Sequence, residues 1–151
     1  DANIRPLRWS SEKYCRETIA SFFQDANILK LTDEELFFLT ETNSIEAGLE
    51  LLKPLNVPIV LVTVGANGAY AVLNGEVMHV PVEQVVPVDT TGAGDAFMAG
   101  VLRYVHYNGL PTTKESLFNC VAFGNKLGAM AATKAGALTA LPRYDEIKDL
   151  L

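Results

Sequence analysis

Apolar positions change their spacing several times along the chain, and each change marks an element. Between residues 11 and 23, Cys15, Ile19, Phe22 and Phe23 fall at i, i+4, i+7 and i+8, the face of an amphipathic helix. Asn27 to Leu31 is a short apolar run that predicts a strand. Thr32, with Glu35 three residues later, has the pattern of a capping box opening the next helix. Residues 44–55 predict a further helix, ended by Pro54 and Pro58. Ile59 to Thr63 is a continuous β-branched run of the kind buried on both faces of a parallel sheet. After a turn at Gly65 to Gly68, residues 69–73 and 76–80 flank Asn74-Gly75, a strong hairpin signal. Val85 to Val88 predicts one more strand. Gly92 to Asp95 then open a nearly all-apolar helix reaching about His106, and Pro111-Thr112 start another that runs to about Thr133.

Strands alternating with helices place the chain in the α/β class, with helices on both faces of the sheet. The strands are few for a complete doubly wound domain, and Asp1-Ala-Asn-Ile-Arg5 reads as a strand running into a loop. A part of a larger domain is therefore expected. The chain has 151 residues, 49% of them hydrophobic, enough for a sizeable core. No apolar run approaches the roughly 20 residues of a membrane span, and no secretory signal is visible. Cys15 and Cys120 stand far apart in apolar surroundings, as buried free thiols of a reducing, cytoplasmic compartment do. His79 and His106 have no ligand-like spacing to either cysteine. The net charge is −6 and the pI about 4.8. That leaves no basic face for nucleic acid, so any anionic ligand must be met by local positive potential.

Asp89-Thr-Thr-Gly-Ala-Gly-Asp95 supplies such potential. A helix begins at a run of small residues, which let a ligand approach the backbone. The amides of Gly92, Ala93, Gly94 and Asp95 should point out of the helix start, where the dipole favours phosphate charge. The same dipole favours negative charge at Asp95, in the first turn, and a carboxylate there can take a proton from an attacking hydroxyl. A plain helix cap would use the same residues. Thr63-Val-Gly65-Ala-Asn-Gly68 lacks the spacing of a dinucleotide fingerprint, and no Gly-Lys-Ser/Thr of a P-loop exists.

The segment Asp89 to Leu102 resembles the second signature of the PfkB family of carbohydrate and nucleoside kinases. The resemblance implies a ribokinase-like three-layer α/β/α fold, of which residues 1–151 form the nucleotide-binding and catalytic C-terminal part: a mostly parallel sheet with a β-hairpin. It implies Asp95 as catalytic base and Gly92, Ala93 and Gly94 as the anion hole. Thr63, Gly65 and Gly68 resemble the turn beside the ATP phosphates, and Asn125 matches a position near the adenine. Either could also be an ordinary turn or a solvated helix residue. Lys30 would reach a phosphate or snorkel at the strand end. Glu35 would support Mg²⁺ as well as cap its helix, with Thr32 replacing the family's Asn. Asp89, Thr91 and the loop Lys134 to Ala140 resemble a monovalent-cation site for K⁺, although Ala140 stands where relatives often carry a hydroxyl.

Asp1-x-Asn3-x-Arg5, followed by Trp9, is similar to a segment of fructokinases and 2-keto-3-deoxygluconate kinases near the sugar, with Ala2 in place of proline. Asn3 and Arg5 are the implied substrate contacts. The resemblance thus implies ATP and Mg²⁺ as cofactors, fructose as first-choice acceptor, and neither nucleic acid nor membrane as partner. It leaves room for a homodimer of the full-length protein. Ribokinase, adenosine kinase, ketodeoxygluconate kinase and a non-catalytic nucleotide binder are the alternatives. The part carrying most sugar contacts and the lid is absent, so these residues alone are expected to be inactive.

Overall fold

The computed structural model describes residues 1–150. The elements are, in order, α1 Glu12–Ser21, β1 Ile28–Thr32, α2 Asp33–Thr40, α3 Ile45–Leu52, β2 Ile59–Thr63, β3 Ala69–Leu73, β4 Glu76–Val80, α4 Ala93–Asn108, α5 Lys114–Ala132, and two single turns that the sequence did not predict, α6 Ala137–Ala140 and α7 Tyr144–Ile147. The strands form one sheet in the order β1-β2-β3-β4. β1 and β2 are parallel, from Ile28 opposite Ile59 to Thr32 opposite Thr63. Parallel neighbours need a long crossover, here α2 and α3. Among the described residues no helix is long and apolar enough to cross a membrane.

The chain divides into two compact units, Asp1–Val64 with Val72–Val77, and Gly65–Ala71 with the chain from Met78 onward. In the first unit, Ile59 to Val62 are all buried, as a β-branched run without polar alternation requires. The helix starts are fixed locally. Ser11 caps α1 and Ser44 caps α3 through their side chains, and Thr32 with Glu35 forms the predicted capping box on α2. Gly48 of α3 lies where a Cβ would come within 2.7 Å of Leu36, so its lack of a side chain sets how closely α2 and α3 pack. Asn74 and Gly75 both take positive φ (52° and 81°), the geometry that a two-residue hairpin turn demands.

In the second unit, α4 and α5 pack through glycines. A Cβ on Gly100 would meet the Gly124 Cα at 2.9 Å, and one on Gly124 would meet the Phe97 carbonyl at 3.0 Å. Ile147 of α7 closes onto Phe123 and Leu127 of α5. Cys15 and Cys120 are buried free thiols, and burial pushes the Cys120 thiol up to about 12.

Two expectations are corrected. Val85 to Val88 form no strand: Pro87 has no N–H for a ladder, and the amides of Val88 and Asp89 go to the Ala132 carbonyl at the end of α5. Phe22 is 68% exposed although Phe23 is buried. The α-helix ends at Ser21 and a 3₁₀ turn follows at Phe23–Asp25, so the helical spacing no longer places Phe22 on the apolar face.

Candidate active site

In the first unit the opening segment is clasped by α2. The Ala2 amide donates to the Lys30 carbonyl at 3.1 Å, and the Ile4 amide to Glu35 Oε1 at 2.7 Å. Glu35 Oε2 accepts from the Thr32 amide at 2.9 Å. Both carboxylate oxygens thus hold backbone, and Asn3 and Arg5 are presented at the surface on either side of the anchored Ile4. Asn3 takes a left-handed φ of 44°, a conformation that Asn tolerates better than most residues. Lys30 does not snorkel: it is 4% exposed, and its ammonium lies 3.3 Å from Asp1 Oδ1, so the expected reach toward a phosphate is replaced by an internal ion pair. The Thr63 hydroxyl is also committed, donating across the parallel pair to the Leu31 carbonyl at 3.4 Å.

The second unit holds the remaining residues. Gly92 caps α4 with φ 82°, and a Cβ there would come within 3.3 Å of Ala137. No side chain caps this helix. The Ala93 amide, expected to be open, instead donates to the Thr90 carbonyl at 3.1 Å, because the two threonines and Gly92 fold into a tight turn. The amides of Gly94 and Asp95 lie in the first helical turn, where no intrahelical acceptor exists. The Asp95 carboxylate beside them is exposed.

Asp89 braces this loop. Oδ1 accepts from the Thr91 amide and Oδ2 from the Gly136 amide, each at 2.9 Å. A hydrogen bond from the Thr91 side chain first, then those from the Thr91 and Gly136 amides, hold its carboxyl below the ordinary value of 3.8. Among the described residues, no three His, Cys, Asp or Glu side chains gather as a metal cage.

The turn Gly65 to Gly68 is held from two sides. Gln84 Nε2 donates to the Ala66 carbonyl at 2.8 Å, and His79 Nε2 lies 2.7 Å from the Asn67 carbonyl. Gly68 has φ 88°, and a Cβ would sit 2.3 Å from the Val80 carbonyl oxygen. That same oxygen accepts from Asn125 Nδ2 at 2.9 Å. Asn125 is therefore neither solvated nor wholly open to a ligand: its amide nitrogen ties α5 to the end of β4. Beside it lies a cavity of about 310 Å³, lined in part by Pro81, Glu83, Ala122, Asn125, Lys126 and Ala129. The structure thus brings the glycine turn and Asn125 to one carbonyl. The bracing residues Gln84, His79 and Gly136 had no local signal, since their roles depend on acceptors far away in sequence. Gly136, within a loop already singled out, was the nearest to being found.

Comparison with known proteins gives the family. Residues 1–143 match the model of the pfkB family carbohydrate kinases. The chain belongs to that family. Its fold is the ribokinase-like α/β fold of these kinases. A fructokinase of Klebsiella pneumoniae is 39% identical over 149 residues, 98% of this chain and 48% of the relative. One of Vibrio alginolyticus is 34% identical over 151 residues, 97% of this chain and 48% of the relative. Among solved structures, Vibrio cholerae O395 fructokinase with fructose, ADP and calcium ion superposes with a TM-score of 0.87 at 38% identity, over 93% of this chain and 46% of that one. Salmonella enterica aminoimidazole riboside kinase, complexed with aminoimidazole riboside and an ATP analogue, also gives 0.87, at 32% identity over 97% of this chain and 49% of that one. The chain spans about half the length of the curated relatives it matches.

Proposed function

We propose that this chain is the nucleotide-binding and catalytic part of an ATP-dependent sugar kinase, with fructose as the acceptor. One observation carries the reading: an exposed carboxylate, Asp95, stands beside amides at the start of α4 that no side chain caps. A residue serving only as a cap would have its oxygen on a backbone amide, and α4 has no such bond. The fructokinases among its relatives favour fructose, and the riboside kinase makes a ribosyl acceptor the second reading.

The chemistry follows from these groups. Asp95 accepts the proton of the acceptor hydroxyl as its oxygen attacks the γ-phosphorus, and the bond to the β-phosphate oxygen breaks in line. The amides of Gly94 and Asp95 donate to the transferring phosphoryl oxygens, and the glycine cap at Gly92 keeps them reachable. Mg²⁺, carried with the nucleotide, would neutralise phosphate charge. Glu35 is the carboxylate that would support it through water, and its hydrogen bonds to the Ile4 and Thr32 amides fix where it stands. Asp89, Thr91 and the loop 134–140 would hold K⁺ through main-chain oxygens, because the buried Ala140 offers none from its side chain. Gly65, Gly68 and Thr63 lie along the nucleotide phosphates, and the cavity at Asn125 takes the adenine. Asn3 and Arg5 meet the sugar, and Lys30 acts indirectly by fixing the segment that carries them.

In the protein that carries this chain, Asp95→Asn should lower kcat by about 10²- to 10⁴-fold with fructose and Mg-ATP, at little cost in stability. A fall of less than about threefold would remove Asp95 from the chemistry. A panel of fructose, ribose, ketodeoxygluconate and ribosides in the same coupled assay identifies the acceptor.

A further inference from the structure

Two turns beyond Asp95, α4 presents a different chemistry. Arg103 and Tyr107 line a cleft of about 680 Å³ together with Asn119 and Lys126 of α5 and Tyr144 and Lys148 of the C-terminal segment. The Arg103 guanidinium is stacked on two rings, 5.1 Å from the centre of Tyr107 and 5.2 Å from that of Tyr144. The two rings hold the guanidinium in place, and a guanidinium is the side chain best suited to carboxylate and phosphate recognition. Arg103 Nε is buried and has no hydrogen-bond partner among the described residues. A charged donor in that position is costly unless something supplies an oxygen.

No described residue brings an acceptor within hydrogen-bond distance of that nitrogen. Three cations line the cleft and no Asp or Glu does. Among the described residues no carboxylate pairs with Arg103, Lys126 or Lys148. Such a cluster inside a chain of net charge −6 is a local reversal of sign. The volume falls within the range of small-ligand pockets, and the Asn119 amide offers the polar contact that a hydroxylated ring needs. A carboxylate would satisfy the fork alone, whereas three cations in one lining match a doubly charged group.

We propose that this cleft binds a phosphate monoester of about the size of a sugar phosphate, at a place separate from the phosphoryl-transfer loop. Arg103 lies eight residues beyond Asp95 on the same helix, about 12 Å along its axis.

Titration of the protein with ribose 5-phosphate, followed by calorimetry at low ionic strength without nucleotide, tests this. Saturable binding is expected, with inorganic phosphate competing. Lys148→Gln should weaken it about tenfold and the pair Arg103→Gln with Lys148→Gln should abolish it. Asp95→Asn and Gly94→Val should keep wild-type affinity, because those positions serve the transfer loop. Lys148 is exposed and its replacement leaves the packing of α7 intact, so the Lys148→Gln result stands even where the Arg103 variant unfolds. Absence of saturation, equal affinity in wild type and Lys148→Gln, or loss of binding in Gly94→Val would overturn the proposal.

Discussion

Gly65 and Gly68 share one turn and both have positive φ, yet replacing them by alanine should cost very different amounts. At Gly65, φ is 56° and a Cβ would meet nothing within 4 Å. The alanine there carries only the left-handed backbone strain, about 1–2 kcal/mol, offset in part by the entropy that glycine loses on folding, about 0.4–1 kcal/mol. At Gly68, φ is 88° and the Cβ would stand 2.3 Å from the Val80 carbonyl oxygen and 3.0 Å from Pro81 main-chain atoms. Backbone cannot swing aside as a side-chain end can, so overpacking adds about 1–3 kcal/mol. The Val80 oxygen is also the acceptor for Asn125. A shift that relieves the clash therefore strains a buried hydrogen bond beside the 310 Å³ cavity. Gly68→Ala should be less stable than Gly65→Ala by about 1–3 kcal/mol in urea unfolding, seen as a lower midpoint at unchanged slope. It should also raise the KM for ATP while Gly65→Ala leaves it near wild type. Equal midpoints for the two variants would mean that the turn moves freely against Val80, and the account of why glycine stands at position 68 would fail.

Asp89→Asn should loosen the loop before α4. Because the folded carboxyl is held below its ordinary value of 3.8 by the Thr91 side chain and by the Thr91 and Gly136 amides, its stabilisation is present above about pH 4 and is lost as pH falls through the lower folded value. Thermal unfolding followed from neutral to acid pH should show a shallower acid decline in Asp89→Asn than in wild type; parallel curves would refute the clasp. Gly124→Ala places a Cβ 3.0 Å from the Phe97 carbonyl, so the roughly 1 kcal/mol that alanine gains in a helix should be outweighed and the melting temperature lowered, as calorimetry would show. Cys15 and Cys120 are buried, with burial raising both thiols, so both should resist alkylation in the native protein and react together on unfolding. Mass spectrometry of a native labelling time course would reveal a thiol that reacts early.

Features set by a few neighbouring residues were legible in the sequence, and features set by distant acceptors were not. The Asn74-Gly75 hairpin and the Thr32–Glu35 box close within their own segments, and both form as read. Val85 to Val88 has strand composition, but a strand exists only where a partner meets its amides, and Ala132 takes that of Val88 along with that of Asp89. Asn125 shows the same limit from the other side. Its place on an apolar helix was visible, whereas its acceptors lie more than forty residues earlier at Val80 and Pro81. The second role of Glu35 is of this kind too. The capping box predicted the bond to Thr32, and only the fold brings Ile4 to the other oxygen.

The catalytic reading depends on how little of the site is side chain. Two glycines and an alanine shape the helix start, and rigidity must then come from what surrounds them. Asp89 supplies it by holding Thr91 with one oxygen and Gly136 with the other, which ties the loop before α4 to the connection after α5. Ala137 supplies it by steric contact, standing 3.3 Å from where a Cβ on Gly92 would lie. The Ala93 amide is consumed in the turn, so the donors for phosphate reduce to those of Gly94 and Asp95. On this account Asp89 is a positioning residue, and its loss should move kcat through the geometry of those two amides while Asp95 keeps its proton-accepting role. Asp89→Asn retains one acceptor oxygen and should therefore lower kcat less than Asp89→Ala, with the pH dependence of kcat/KM unchanged in both. A shifted pH profile in Asp89→Asn would show instead that Asp89 titrates in the reaction, and the division of labour between the two aspartates would have to be reversed.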